Sequence, residues 1–334
     1  MAYSDLPLDQ LRQYRSEVDA PSDLDAFWSR ARAGSGAIDL AVSLTEVDSR
    51  LAFEQTFDLS FSGADGDRVA AWLHIPDAVS RRGEPGPAVV EFRGYGAGRG
   101  MPHERTLWSQ AGFVHLVMDN RGQSGWSPGD TADASSPGAS AGPGFMTRGI
   151  SDPNDYYYRR LFIDAARCVQ AVAEHELVDP DRVAVAGGSQ GGALAVAATA
   201  LSQAVVAAAV VDVPFLSDFG RALMITDADP YGEIGRYLAV RRDAVDIVLA
   251  TLRYFDVSIL GRRCAAPALF SVALMDQVTP PSTVYSAFNN YGLLARDPPA
   301  KAIREYRFNG HDGGGAHHEI VKIDWLTELL KPAR

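Results

Sequence analysis

The chain has 334 residues, of which 46% are hydrophobic and 22% charged, with a formal net charge of −11. That length allows one large α/β domain or two small ones, and the composition is that of an ordinary soluble globular protein. The negative balance argues against a nucleic-acid partner or an anionic membrane surface, since both call for a basic face.

In chain order, the opening MAYSDLPLDQ has no basic region followed by an apolar run. The expectation is therefore no signal peptide and a cytoplasmic protein. Residues 1–50 read as an N-terminal extension with one helix, capped by Ser22 or Asp23 and running through Phe27, Trp28 and Ala31. Residues 51–76 alternate polar and apolar side chains like an antiparallel strand pair, turning near 63–66. From Pro87 onward, short apolar runs alternate with helical periods: 88–92, 114–118, 183–186, 205–211, 268–274 and 303–308. Strands apolar on both faces belong inside a parallel sheet covered by helices. Residues 125–148, rich in Gly, Pro, Ser and Asp, read as a loop. Residues 193–211 have only Thr199, Ser202 and Gln203 as polar positions. The joint at Ser202-Gln203 favours a buried helix followed by a strand over a membrane span. Residues 214–263 are helical in pattern and lie between two strands, where a lid is inserted. One α/β domain with insertions fits this rhythm. Cys168 and Cys264 make no disulfide framework; sequence leaves their pairing open, and both fit a reduced cytosolic chain.

The most informative segment is Gly187-Gly188-Ser189-Gln190-Gly191-Gly192, preceded by an apolar strand and followed by an alanine-rich helix. A Gly-x-Ser-x-Gly pattern in that setting is a nucleophile elbow, where the glycines permit a tight turn that lifts the serine off the sheet edge. The bland alternative is a glycine-rich turn with an incidental serine. A serine hydroxyl needs a base to take its proton and a third group to orient that base. Two later strand ends supply them in the order expected for this architecture: Asp276 after the run 268–274, and His311 after the run 303–308. A helix cap for Asp276 and a surface-loop role for His311 are the ordinary alternatives. His317 and His318 fall where the last helix begins, as exposed or capping residues. With no HExxH spacing and no second ligand group elsewhere, the three histidines do not suggest a metal site. An oxyanion hole requires two N–H donors; the candidates are Gln190, after the nucleophile, and Tyr95 in the loop 93–100. That loop contains no complete GxGxxG register, which removes a dinucleotide-binding reading.

With these residues placed, the chain resembles the acetyl xylan esterase and cephalosporin C deacetylase family of carbohydrate esterases (family 7). The resemblance is carried by Arg121-Gly122-Gln123, by the elbow 187–192 and by a terminal His-acid pair. It is supported by Gly94-Tyr95, Pro143–Arg148, Tyr156–Arg160, Asp212–Phe215 and Pro280–Thr283. It implies an α/β-hydrolase sheet flanked by helices, a Ser189–His311–Asp276 triad, an oxyanion hole at Tyr95 and Gln190, and no cofactor. It also implies a cytoplasmic homohexamer acting on small acetylated carbohydrates and on cephalosporin C. Phe215, Pro230 and Val278 would line a small acyl pocket, and Arg121, Gly122 and Gln123 would be structural. The family pattern ends in His-Glu, whereas His311 is followed by Asp312. A literal His318-Glu319 also occurs, so His318 is the alternative base. Two rival functions are a peptidase or long-chain esterase on the same machinery, and a non-catalytic binding protein on the same fold.

Overall fold

The structure is a computed structural model that describes residues 3–135, 142–202 and 205–332. Its strands are β1 (Ser43–Val47), β2 (Glu54–Ser62), β3 (Arg68–Pro76), β4 (Gly86–Phe92), β5 (Val114–Met118), β6 (Val178–Gly188), β7 (Ala208–Asp212), β8 (Ala268–Ala273) and β9 (Lys301–Tyr306). They form one sheet in the order β1-β2-β3-β5-β4-β6-β7-β8-β9. The first three strands are antiparallel to their neighbours, β3 pairs antiparallel with β5, and from β5 to β9 every pairing is parallel. Strands β5, β7 and β8 are almost wholly buried. That explains their continuous apolar runs, because helices cover both faces of the parallel part.

Helices α1 (Leu8–Leu11), α2 (Leu24–Gly36), α3 (Asp77–Arg82), α4 (Leu107–Gln110), α5 (Tyr157–Ala173) and α6 (Gln190–Leu201) come first in the chain. Between β7 and β8 lie α7 (Phe219–Ile225), α8 (Tyr231–Val240), α9 (Val245–Leu252) and α10 (Val257–Leu260); α11 (Pro281–Asn290) and α12 (Gly315–Leu330) follow. On one face, α5 and α6 bury nearly every side chain in the main core. There Trp28 of α2 stacks on Phe162 of α5 at 5.8 Å and donates its indole N–H to the Tyr254 carbonyl at 3.1 Å. This ties the N-terminal helix to the segment between β7 and β8. On the other face Val89, Ala184, Ala186 and Val210 pack against Trp108 of α4 and Leu326 and Leu330 of α12.

Several expectations are shifted. Asp23 occupies the N-cap of α2, but its carboxylate accepts from the Tyr254 hydroxyl instead of capping. The strand expected at 205–211 runs Ala208–Asp212; α6 ends at Leu201 with Ser202 as its cap, and Gln203 lies outside the described residues. Strand β1 was not anticipated, because its side chains are exposed on both faces and leave no alternation to read. Loop 125–148 carries one 3-10 turn at Phe145–Thr147, and its residues 136–141 lie outside the described residues. Both cysteines are buried and free. No helix among the described residues is long and apolar enough to cross a membrane.

Candidate active site

Strand β6 ends at Gly188, and the next residue, Ser189, adopts φ 57° and ψ −121° at the N-cap of α6. This left-handed conformation is costly for a residue with a side chain, roughly 1–3 kcal/mol, and is kept only where the surroundings enforce it. The surroundings do so here. Ser189 N–H donates to the Asp212 carbonyl at 2.9 Å, and Ser189 C=O accepts from Phe215 N–H at 3.0 Å and Ala193 N–H at 3.1 Å. The flanking glycines are required by contact. A Cβ at Gly187 would lie 2.3 Å from the Gly191 carbonyl carbon, and one at Gly191 would lie 2.2 Å from the Phe92 carbonyl oxygen. Ser189 therefore stands at the sheet edge and at the N-terminus of α6, where backbone N–H groups have no intrahelical acceptor.

Asp276, buried just beyond β8, accepts from Val278 N–H at 2.8 Å, Thr279 N–H at 3.0 Å and the Thr279 hydroxyl at 2.8 Å. His311 Nδ1 lies 2.8 Å from Asp276 Oδ2. An ionised carboxylate only accepts, so the Nδ1 position carries the proton and Nε2 keeps its lone pair. Ser189 and His311 line one cavity of ≈ 910 Å³.

The three histidines separate clearly. His317 is exposed, as expected. His318 is not exposed or capping: it is 2% exposed, with Nε2 2.9 Å from Asp212 Oδ1 and Nδ1 2.7 Å from the Tyr306 hydroxyl. The reason is that α12 turns this face of its first turn onto the sheet. Both His318 ring nitrogens are engaged, whereas His311 presents one to the cavity. Among the described residues no three His, Cys, Asp or Glu side chains converge as metal ligands do.

Tyr95 lies in the loop after β4. Its hydroxyl donates to Glu233 Oε1 at 2.7 Å and accepts from Gly144 N–H at 3.1 Å and Phe145 N–H at 3.0 Å. Burial and the Glu233 carboxylate hold this phenol well above its ordinary pKa. Glu233, on α8, escaped sequence reading; it is 138 residues from Tyr95 and carries no local signal. Gln123 joins the loop that holds Tyr95 to the first turn of α6, which begins at Gln190. Its Oε1 accepts from Gly96 N–H at 2.6 Å, and its Nε2 donates to Gln190 Oε1 at 3.0 Å and to the Tyr157 hydroxyl at 2.9 Å. Gly122 sits at φ 69°. Arg121 is fully buried and does not line the cavity; it pairs with Asp164 at 2.6 Å and Asp67 at 2.8 Å. Pro230 and Val278 line the cavity. Phe215 does not: it is fully buried behind Tyr95, its ring 6.5 Å from that of Tyr95 and 4.4 Å from that of Tyr231.

A sheet of this order, with a serine on a strained turn between β6 and α6, defines the α/β-hydrolase fold. The acetyl xylan esterase family model matches residues 1–329. The chain belongs to that family of carboxylic ester hydrolases. It is similar to the acetyl xylan esterase of Paenibacillus sp. R4, at 34% identity and a TM-score of 0.86, covering 97% of this chain and 100% of that one. It is also similar to acetyl xylan esterase 1 of Thermoanaerobacterium sp. JW/SL YS485, at 32% identity and a TM-score of 0.86, covering 97% and 99%. Acetyl esterase Axe7A of Xylanibacter ruminicola is 26% identical over 276 residues, which are 80% of this chain and 60% of that relative's length.

Proposed function

We propose that the protein hydrolyses acetyl esters of short xylo-oligosaccharides, and of cephalosporin C-like molecules, through an acetyl-enzyme on Ser189. One observation carries this reading: a serine on a strained elbow shares a cavity with a histidine whose far nitrogen is held 2.8 Å from a buried aspartate. Ser189 Oγ attacks the acetyl carbonyl while His311 Nε2 takes its proton, and Asp276 stabilises the imidazolium. The tetrahedral oxyanion rests on the N–H groups of Tyr95 and Gln190, and the departing sugar oxygen takes the proton back from His311. Water then repeats the sequence on the acetyl-enzyme. Pro230 and Val278, with Tyr95 backed by Phe215, limit the acyl group to a short one. Residues 214–263 act as a lid over this pocket. The family resemblance further supports a cytoplasmic homohexamer. Hydrolysis of 4-nitrophenyl acetate, butyrate and octanoate tests the reading. A steep fall from acetate to butyrate is expected; equal rates would move the protein to the long-chain esterases, and no turnover would favour a binding role.

A further inference from the structure

The cavity is far larger than a two-carbon acyl group needs; its ≈ 910 Å³ lies near the upper end of the range that holds whole small-molecule ligands. Much of the remainder forms a trough on the α4/α12 face of the sheet. Strand register sets its shape. Glu91 of β4 pairs with Ala186 of β6, Ala186 pairs with Val210 of β7, and Gly188 pairs with Asp212. Side chains alternate along a strand, so Glu91, Ala186, Val210 and Asp212 project to the same face. Ala186 and Gly188 are too small to fill the gap and form its floor. Glu91 and Asp212, two strands apart, stand on the order of 10 Å from each other as its walls.

Both walls are built from paired charges. Glu91 lies 3.4 Å from Arg105 and 3.7 Å from Arg93, and is backed by His115 at 3.1 Å. Burial alone would raise its pKa, but these partners hold it down to about 2. Opposite, Asp212 accepts from Lys322 at 2.8 Å and from His318 at 2.9 Å, and Lys322 reaches Glu319, one helical turn earlier, at 3.0 Å. Glu91, Arg105, Asp212, Glu319 and Lys322 all line the cavity. Because Asp212 also holds the Ser189 N–H, this wall begins one residue away from the nucleophile.

We propose that this trough is the leaving-group subsite of the esterase, where Glu319 and Lys322 on α12 and Arg105 on the opposite wall hold the hydroxyls of an uncharged sugar unit. The proposal rests on the reading of the site as an acetyl esterase. A lysine has three N–H donors, and Lys322 directs two at its carboxylate partners. A carboxylate offers about four acceptor positions, of which Glu319 gives one to Lys322. A sugar hydroxyl both donates and accepts, so it can bridge such a pair without adding charge to the wall. An anion would have to compete with Glu319 and Asp212 for Lys322, and with Glu91 for Arg105.

The test uses acetylated xylobiose and 4-nitrophenyl acetate as paired substrates, with free xylobiose as an inhibitor of the second reaction. The variants are Glu319→Gln and Arg105→Met, chosen because both side chains are partly exposed, at 38% and 46%. In each variant kcat/KM for acetylated xylobiose is expected to fall at least tenfold more than for 4-nitrophenyl acetate. The loss appears mainly in KM, and the inhibition constant of free xylobiose rises at least fivefold. Variants that keep the wild-type ratio of the two substrates and the wild-type xylobiose inhibition overturn the subsite while leaving the esterase reading intact. Wild-type protein that turns over neither substrate overturns both.

Discussion

Replacing Gln123 with leucine tests whether this side chain sets the positions of the two proposed oxyanion donors. Gln123 is 1% exposed, so water does not replace the bonds it loses. Gly96 N–H, one residue from Tyr95 and buried, loses its acceptor at 2.6 Å. A buried N–H left unpaired costs about 1–3 kcal/mol. Gln190 loses its bonds to Gln123 but keeps those to the Tyr158 hydroxyl at 2.9 Å and the Arg93 carbonyl at 3.3 Å. Tyr157 keeps the Arg121 carbonyl at 2.6 Å. Those retained partners limit the total loss of stability to about 2–4 kcal/mol. Full loss of one oxyanion donor lowers kcat by about 10²–10³, so a loosened donor is expected to lower it by about 10- to 100-fold. Steady-state kinetics with 4-nitrophenyl acetate reads the activity, and urea unfolding reads the stability. A variant with kcat within twofold of wild type and an unchanged unfolding midpoint would show that Gln123 does not position the donors.

Arg121→Met leaves the buried Asp164 carboxylate without its cation and is expected to destabilise the protein by about 3–5 kcal/mol in urea unfolding; a loss below 1 kcal/mol would contradict this. Gly191→Ala drives a Cβ to 2.2 Å from the Phe92 carbonyl oxygen, so β4 or the elbow must shift, and esterase activity should drop about 100-fold or more. Burial raises the Asp256 carboxyl to about 6, against a usual value of about 3.9. Its folded-state pKa is above the unfolded one, so its contribution to stability is full below pH 4 and is lost as pH rises through 6. The unfolding free energy of wild type relative to Asp256→Asn should therefore fall by up to about 3 kcal/mol between pH 4 and pH 7, and a flat difference would contradict the assignment.

What the sequence makes legible is what local pattern records. The elbow could be read because its glycines, strand and helix are contiguous, and Asp276 because it closes the apolar run 268–274; His311 follows β9, which mixes charged and apolar side chains and is only half-buried instead of forming an apolar run. The positions β5 and β8 take followed from their continuous apolar stretches. Contacts between distant segments left no such trace. Glu233 meets Tyr95 through α8, in the helical segment between β7 and β8, and the pairing of Glu91 with Arg105 depends on how the loop before α4 returns over the sheet. His318 was misplaced for the same reason: the first turn of a helix reads as exposed unless the partner, here Asp212 of β7, is known. The family resemblance implies a pocket-lining Phe215, yet its ring points into the core against Tyr231. Strand β1 pairs with β2 through its backbone while its side chains face solvent, so no apolar period marks it.

Ser189 as nucleophile and His311 as its base can be tested at the reacting atom itself. The most direct measurement is reaction with a serine-directed organophosphate, followed by peptide mass spectrometry on wild type, Ser189→Ala, His311→Ala and His318→Ala. A single adduct on Ser189 is expected in wild type, none in Ser189→Ala, labelling slowed by several orders of magnitude in His311→Ala, and persistent labelling in His318→Ala. An adduct on another residue, or labelling that depends on His318 and not on His311, would contradict these roles.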